Sequence, residues 1–277
     1  MPAPALTVSV EGKSRERSTA AVNLDAKEAV DIAQGLDENV FLFVPNLIGY
    51  TRIILAAVAL KYMPSSPWYC TLLYGVSCLL DAVDGHAARL LNQTSRFGAV
   101  LDMITDRCTT SGLLCYLASA YPSYALVFQA LIALDFSSHY VHMYSTLLTG
   151  SKSHKTIESD VSRILNFYYN NPKTLFLFCA GNELCFFALY LMKWDTTPLG
   201  LSIPPPLGFV ASKVAPGLAQ WVAGLTFAQI LVMVTFPICF GKNVISIVQG
   251  WKASKILVGV DLAERMEMMK RKQEEKR

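Results

Sequence analysis

The residues best placed to do chemistry are four aspartates on two neighbouring segments. Asp81 and Asp84 stand three apart in "LLDAVDGHAARLL", and Asp102 and Asp106 stand four apart in "FGAVLDMITDR". At helical spacing, Asp81, Asp84, Gly85, Ala88 and Arg89 share one face, and Gly98, Asp102 and Asp106 share another. The connection between the segments is short, so the two helices are expected to lie antiparallel, with four carboxylates meeting in one cleft. Such a group repels itself and cannot stay ionised in a partly dry site unless cations offset it. No Cys or His stands at ligand spacing, so an all-oxygen set points to Mg2+, Mn2+ or Ca2+ rather than zinc. Two such ions could clamp a pyrophosphate. Gly85 and Ala88 leave room for a bulky group beside the helix, and Arg89 can neutralise a phosphate. A cation or proton pathway is the competing use of intramembrane acids. It gives no reason for Gly, Ala and Arg in this register.

The elements that must hold these residues are membrane helices. Hydrophobic residues make up 53% of the 277-residue chain and charged residues 16%, against about a quarter charged in soluble domains. The apolar excess falls in long blocks. The expected fold is all-α, a polytopic helix bundle with six transmembrane spans. They are placed at Val40–Tyr62, Pro67–Leu91, Phe97–Ala120, Tyr124–Leu148, Thr174–Met192 and Leu218–Val248. The second and third are apolar over only part of their length, and the sixth looks long enough to continue past the bilayer. "AKEAVDIAQGLDENV" puts Ala26, Val30, Ala33 and Leu36 on one face, as an amphipathic helix on the membrane surface does. The chain is thus divided into an N-terminal arm at 1–39, the six-helix domain at 40–250 and a charged tail at 251–277.

Lys and Arg set the orientation. Lys13, Arg15, Arg17, Lys27, Arg89, Arg96, Lys152, Lys155, Arg163 and Lys173 fall on one side with the basic tail, against Lys61, Lys193 and Lys213 on the other. The positive-inside rule places both termini and all four aspartates toward the cytosol. No cleavable leader is expected. The seven cysteines are scattered and read as small reduced hydrophobes.

The pattern D-x2-D-G-x2-A-R-x8-G-x3-D-x3-D, carried by Asp81, Asp84, Gly85, Ala88, Arg89, Gly98, Asp102 and Asp106, resembles the signature of the CDP-alcohol phosphatidyltransferase family. "NVFLFVPNLIGYTRI", "GSKSHK" and "FCAGNEL" extend the resemblance toward its eukaryotic, inositol-accepting branch. The resemblance implies transfer of a phosphatidyl group from CDP-diacylglycerol to myo-inositol with loss of CMP, using two divalent ions, Mg2+ or Mn2+. It makes Asp81, Asp84, Asp102 and Asp106 the metal ligands. Asp106 is also the general base, and Gly85, Arg89 and Ser95 are the CDP-diacylglycerol contacts. It further implies the endoplasmic reticulum membrane, lipid contact and a homodimer; nothing points to nucleic acid. A sister enzyme with another acceptor, such as glycerol 3-phosphate, shares the same motif.

Several polar residues remain to be placed. His139 and His142, one turn apart, and His154 and Lys155 in the basic loop are candidates for the acceptor pocket. Asp135 is a further intramembrane acid with no evident partner. Arg52 is expected to pair with a carboxylate, and Asn182 and Glu183 to bond between helices. The sequon "NQT" at Asn92 faces the cytosol in this topology, so a glycosidase digest should leave the mobility of the full-length protein unchanged.

Overall fold

The computed structural model describes residues 26–35, 39–149, 171–201 and 217–275. Most of the basic loop, including His154 and Lys155, and the Pro-rich stretch after Leu201 lie outside the described residues. Within them the fold is all-α. The helices are α1 (Ala26–Gly35), α2 (Val44–Tyr62), α3 (Pro67–Leu90), α4 (Arg96–Ala120), α5 (Ala125–Thr149), α6 (Pro172–Leu191), α7 (Leu218–Ala223) and α8 (Phe227–Glu274). Single 3-10 turns at Val40–Leu42 and Pro122–Tyr124 precede α2 and α5.

Local chemistry sets the boundaries. Proline occupies the first turn of α2, α3 and α6, where a missing N–H costs nothing. Asn171 caps α6 and Ser95 caps α4, each side chain accepting from a first-turn backbone N–H. Helix α3 ends where Asn92 adopts a φ of 53°, in the left-handed region that asparagine tolerates better than most residues. The backbone N–H of Gln93 then donates to Ala88 O at 3.0 Å and that of Asn92 to Arg89 O at 3.4 Å, closing a Schellman motif. The Gln93 side chain accepts from Val44 N at 2.9 Å, so the α3–α4 turn is fastened to the start of α2.

One boundary differs from the sequence expectation. A sixth span running unbroken from Leu218 is not what forms. α7 stops at Ala223, and α8 begins anew at Phe227 behind a capping box between Thr226 and Gln229. The break is held from outside: Leu199 N donates to Leu225 O at 2.9 Å, and the Asp195 carboxylate accepts from Ala228 N at 3.1 Å. α8 then continues past Pro237 through the charged tail to Glu274. Its burial ends near Ala253.

α2 packs on α3 and α4, α4 on α5 and α6, and α8 on α5 and α6. The principal apolar core lies at one end of the bundle. It comprises Ala59 and Met63 of α2, Cys70 and Tyr74 of α3, Leu113, Leu114 and Leu117 of α4, and Cys185, Phe186 and Tyr190 of α6. Arg52 and the four aspartates lie on the same helices toward the other end. Large apolar side chains such as Trp68, Leu79, Leu126, Phe176 and Phe240 are exposed around the outside, as expected of a surface facing lipid. Among the described residues, three helices are long and apolar enough to cross a membrane: Val44–Tyr62, Lys173–Leu191 and part of Phe227–Glu274. α3, α4 and α5 carry the acids, Arg107 and the two histidines, and fall short on hydropathy.

Close approach of α6 and α8 depends on Gly181. A β-carbon there would sit 2.6 Å from Ile238 Cγ2, part of a stiff β-branched side chain. Gly181→Ala is expected to destabilise the bundle by about 1–3 kcal/mol. Thermal unfolding should show a smaller loss from the same change in an Ile238→Ala background.

Candidate active site

Arg52 is the centre of the acid cluster. It projects from α2 into the gap between α3 and α4, and its side chain is only 4% exposed. Nη1 lies 2.7 Å from Asp84 Oδ2 and 2.7 Å from Asp102 Oδ1, while Nη2 lies 2.5 Å from Asp81 Oδ1 and 2.5 Å from Asp106 Oδ1. One guanidinium thus meets all four carboxylates that the helical spacing brings to one place. The expectation that Arg52 pairs with an acid is met four times over. Ser77 Oγ donates to Arg52 O at 3.2 Å, tying α3 to the same turn of α2.

The four acids are not equivalent. Oxygens of Asp81, Asp102 and Asp106 all lie within 4.8 Å of one another, a spacing that one cation can bridge. Their all-oxygen donor set fits a hard divalent ion such as Mg2+ or Mn2+. Asp81 and Asp102 are 44% and 47% exposed at the side chain, so this group opens outward while Arg52 lies beneath it. Asp84 stands outside the threefold group. It is buried and turned to a neighbouring cleft.

That cleft has a volume of about 190 Å3 and is lined by Asn46, Gly49, Asp84, Gly85, Ala88, Arg89, Ser95, Gly98 and Asp102, among others. It therefore gathers Gly85, Arg89 and Ser95 beside two of the acids. Around a β-carbon on Gly85, only the Arg89 guanidinium lies within 4 Å. The open space beside Gly85 is therefore covered by one mobile side chain. Gly98 is under tighter constraint: a β-carbon there would lie 2.7 Å from Asn46 Oδ1, whose own amide donates to Val40 O at 2.6 Å. Ser95 Oγ accepts from Gly98 N at 2.9 Å, so its hydroxyl is engaged as the α4 cap.

A second polar group lies behind Asp106. Arg107 Nη1 donates to Asp135 Oδ1 at 3.1 Å and lies 2.8 Å from His139 Nε2. A guanidinium can only donate, so Nε2 is the acceptor, and Nδ1–H donates to Asp135 O at 2.8 Å. Arg107 Nη2 also lies 3.8 Å from Asp106 Oδ2. Asp135, without an evident partner in the sequence, thus has two. His139 is in this group, whereas His142 lies one turn further along α5, with its carbonyl accepting from Ser145 and Thr146. Arg107 was overlooked in the sequence because it follows Asp106 directly. Two unmatched charges of opposite sign in apolar stretches, Arg107 and Asp135, were the available signal. Lys242 is another omission: it is buried on α8 and donates to Ser246 Oγ at 3.0 Å.

The polar pair in "GNEL" performs the interhelical bonding expected of it. Tyr74 OH and Thr110 Oγ1 both donate to the Glu183 carboxylate, linking α3, α4 and α6. Asn182 Oδ1 accepts from Asn243 Nδ2 at 3.2 Å, linking α6 to α8. His86 is exposed.

Cap and contact roles of Ser95 are separable. Ser95→Ala should lower stability by about 0.5–2 kcal/mol, and Ser95→Asn, an equally good cap, should restore it in thermal unfolding.

Residues 42–201 match the family described as CDP-alcohol phosphatidyltransferase. A Schizosaccharomyces pombe protein named CDP-diacylglycerol–inositol 3-phosphatidyltransferase is 48% identical over 231 residues, covering 83% of this chain and 94% of that protein. Proteins of the same name from Homo sapiens and Candida albicans are 42% and 39% identical, covering 83% and 90% of this chain and 97% and 95% of theirs. No solved structure matches the chain. The signature acids, the small residues beside them and this similarity along most of the length agree, and the chain belongs to the CDP-alcohol phosphatidyltransferase family.

Proposed function

We propose that the protein is an enzyme that transfers the phosphatidyl group of CDP-diacylglycerol to myo-inositol and releases CMP. The observation that carries this reading is the convergence of Asp81, Asp102 and Asp106 beside the cleft lined by Gly85, Arg89 and Ser95. Its relatives' shared name supplies the substrates.

In this reading the four aspartates hold two divalent ions, Mg2+ or Mn2+. When bound, the ions offset the charge of the diphosphate and of the departing phosphate. Gly85 lets the donor approach the α3 backbone, and Arg89, hinged over it, takes a phosphate oxygen. Asp106 accepts the proton of the attacking inositol hydroxyl. The freed oxygen bonds to the lipid-side phosphorus as the bond from that phosphorus to the CMP oxygen breaks. CMP leaves as an anion and needs no proton. Arg107, Asp135 and His139 are the acceptor-side wall, adjacent to Asp106 and rich in donors and acceptors that a polyol can match. His142 lies further along the same helix.

The reading also places the protein in its membrane. α2, α3, α4, α5, α6 and the first half of α8 make six crossings, with α1 on the membrane surface and both termini in the cytosol. The largely buried pairs Arg52–Asp84 and Arg107–Asp135 support this, because each joins charges between helices. The endoplasmic reticulum and a homodimer complete the proposal.

Purified protein with CDP-diacylglycerol and Mg2+ or Mn2+ should release CMP when given myo-inositol, and not with glycerol 3-phosphate or serine. Asp106→Asn should reduce the rate by about 10²-fold or more. Release with a different acceptor would overturn the substrate and keep the reaction. Asp135→Asn should raise the inositol KM while leaving the KM for CDP-diacylglycerol near the wild-type value.

A further inference from the structure

We infer that Arg52 is the standing counter-cation of the acid cluster, holding the metal-free site together and competing with the divalent ion for the same carboxylates. This rests on the metal-dependent reading above.

The geometry is specific. Both terminal nitrogens of Arg52 are committed to acids, and Nε, which is buried, has no hydrogen-bond partner. The side chain is enclosed, so its charge cannot retreat to water. With no ion present, four carboxylates on two facing helices would drive α3 and α4 apart. A single guanidinium spanning all four removes the worst of that repulsion and ties both helices to α2. It does not neutralise the group: four carboxylates against Arg52 and the more distant Arg107, 3.8 Å from Asp106, still leave an excess of negative charge. A divalent ion is still attracted, and it enters from the open side, where Asp81 and Asp102 are exposed.

The ion must then share its ligands with a fixed positive charge. Carboxylates already polarised by a guanidinium at 2.5–2.7 Å are weaker ligands, and the two cations repel across them. The ion would consequently be held less tightly than by the carboxylates alone. The apoprotein survives its departure because Arg52 remains. Had Arg52 instead served to orient the acids for the ion, its removal would weaken metal binding. The two roles therefore predict opposite signs.

The test uses Mn2+ as the probe and full-length protein in detergent. Mn2+ affinity is read from the paramagnetic resonance of free Mn2+, and stability from thermal unfolding in EDTA and in saturating Mn2+. Arg52→Gln should bind Mn2+ at least about tenfold more tightly than wild type. It should also melt several degrees lower in EDTA, with a larger upward shift on adding Mn2+. Should Arg52→Gln not fold, Arg52→Gln with Asp84→Asn is compared with Asp84→Asn alone, and the same tightening is expected. Unchanged or weaker Mn2+ binding in the variants would overturn the inference. Wild type that binds no Mn2+ would overturn it together with the metal-dependent reading. Wild type that binds Mn2+ and turns over inositol, with variants of equal affinity, would overturn the inference alone.

Discussion

A positive charge buried among four negative ones is the constraint from which much else in this protein follows. Arg52 cannot be placed in a membrane-embedded bundle without anions, and Asp81, Asp84, Asp102 and Asp106 cannot face one another without cations. Each side of the cluster makes the other tolerable. The consequence for the fold is that α2, α3 and α4 must meet at one depth and in one register. A slip of one residue along any of them would pull a charged side chain away from its partner.

The rest of the architecture keeps that register. At the far end, Tyr190 OH donates to Met63 O at 3.1 Å and Tyr121 OH donates to Leu189 O at 2.9 Å, fixing α6 against α2 and the end of α4. Midway, Glu183 takes hydroxyl donors from Tyr74 and Thr110. Glycines then allow the helices to come close, as Gly98 does against Asn46 and Gly181 against Ile238. Between helices in lipid, packing and directed polar contacts supply specificity, because burying an apolar side chain against another helix gains little over burying it against acyl chains. Polar residues in apolar helices are therefore structural joints here as well as chemical groups.

Two polar groups flank the acid cluster. On one side lies the cleft with Gly85, Arg89 and Ser95, which Asp84 and Asp102 also line. On the other, Arg107, Asp135 and His139 offer hydrogen bonds from fixed positions. Asp106 is held by Arg52 and flanked by Arg107.

Much of this was legible in the sequence, and the reason is periodicity. Spacings of three and four residues place Asp81 with Asp84 and Asp102 with Asp106 on helix faces, and a short turn makes those helices neighbours. Helix starts at Pro67 and Ser95 obey capping chemistry that acts within a few residues. Yet the break at Gly224 was missed: apolar sequence continues across it, and its fastening to Asp195 and Leu199 comes from a distant segment. The pairings of Arg52 with four acids and of Arg107 with Asp135 were likewise undetermined. Sequence sets which face of a helix a charge occupies. Which charge it meets depends on the angle and depth at which separate helices pack, and only the tertiary structure decides that.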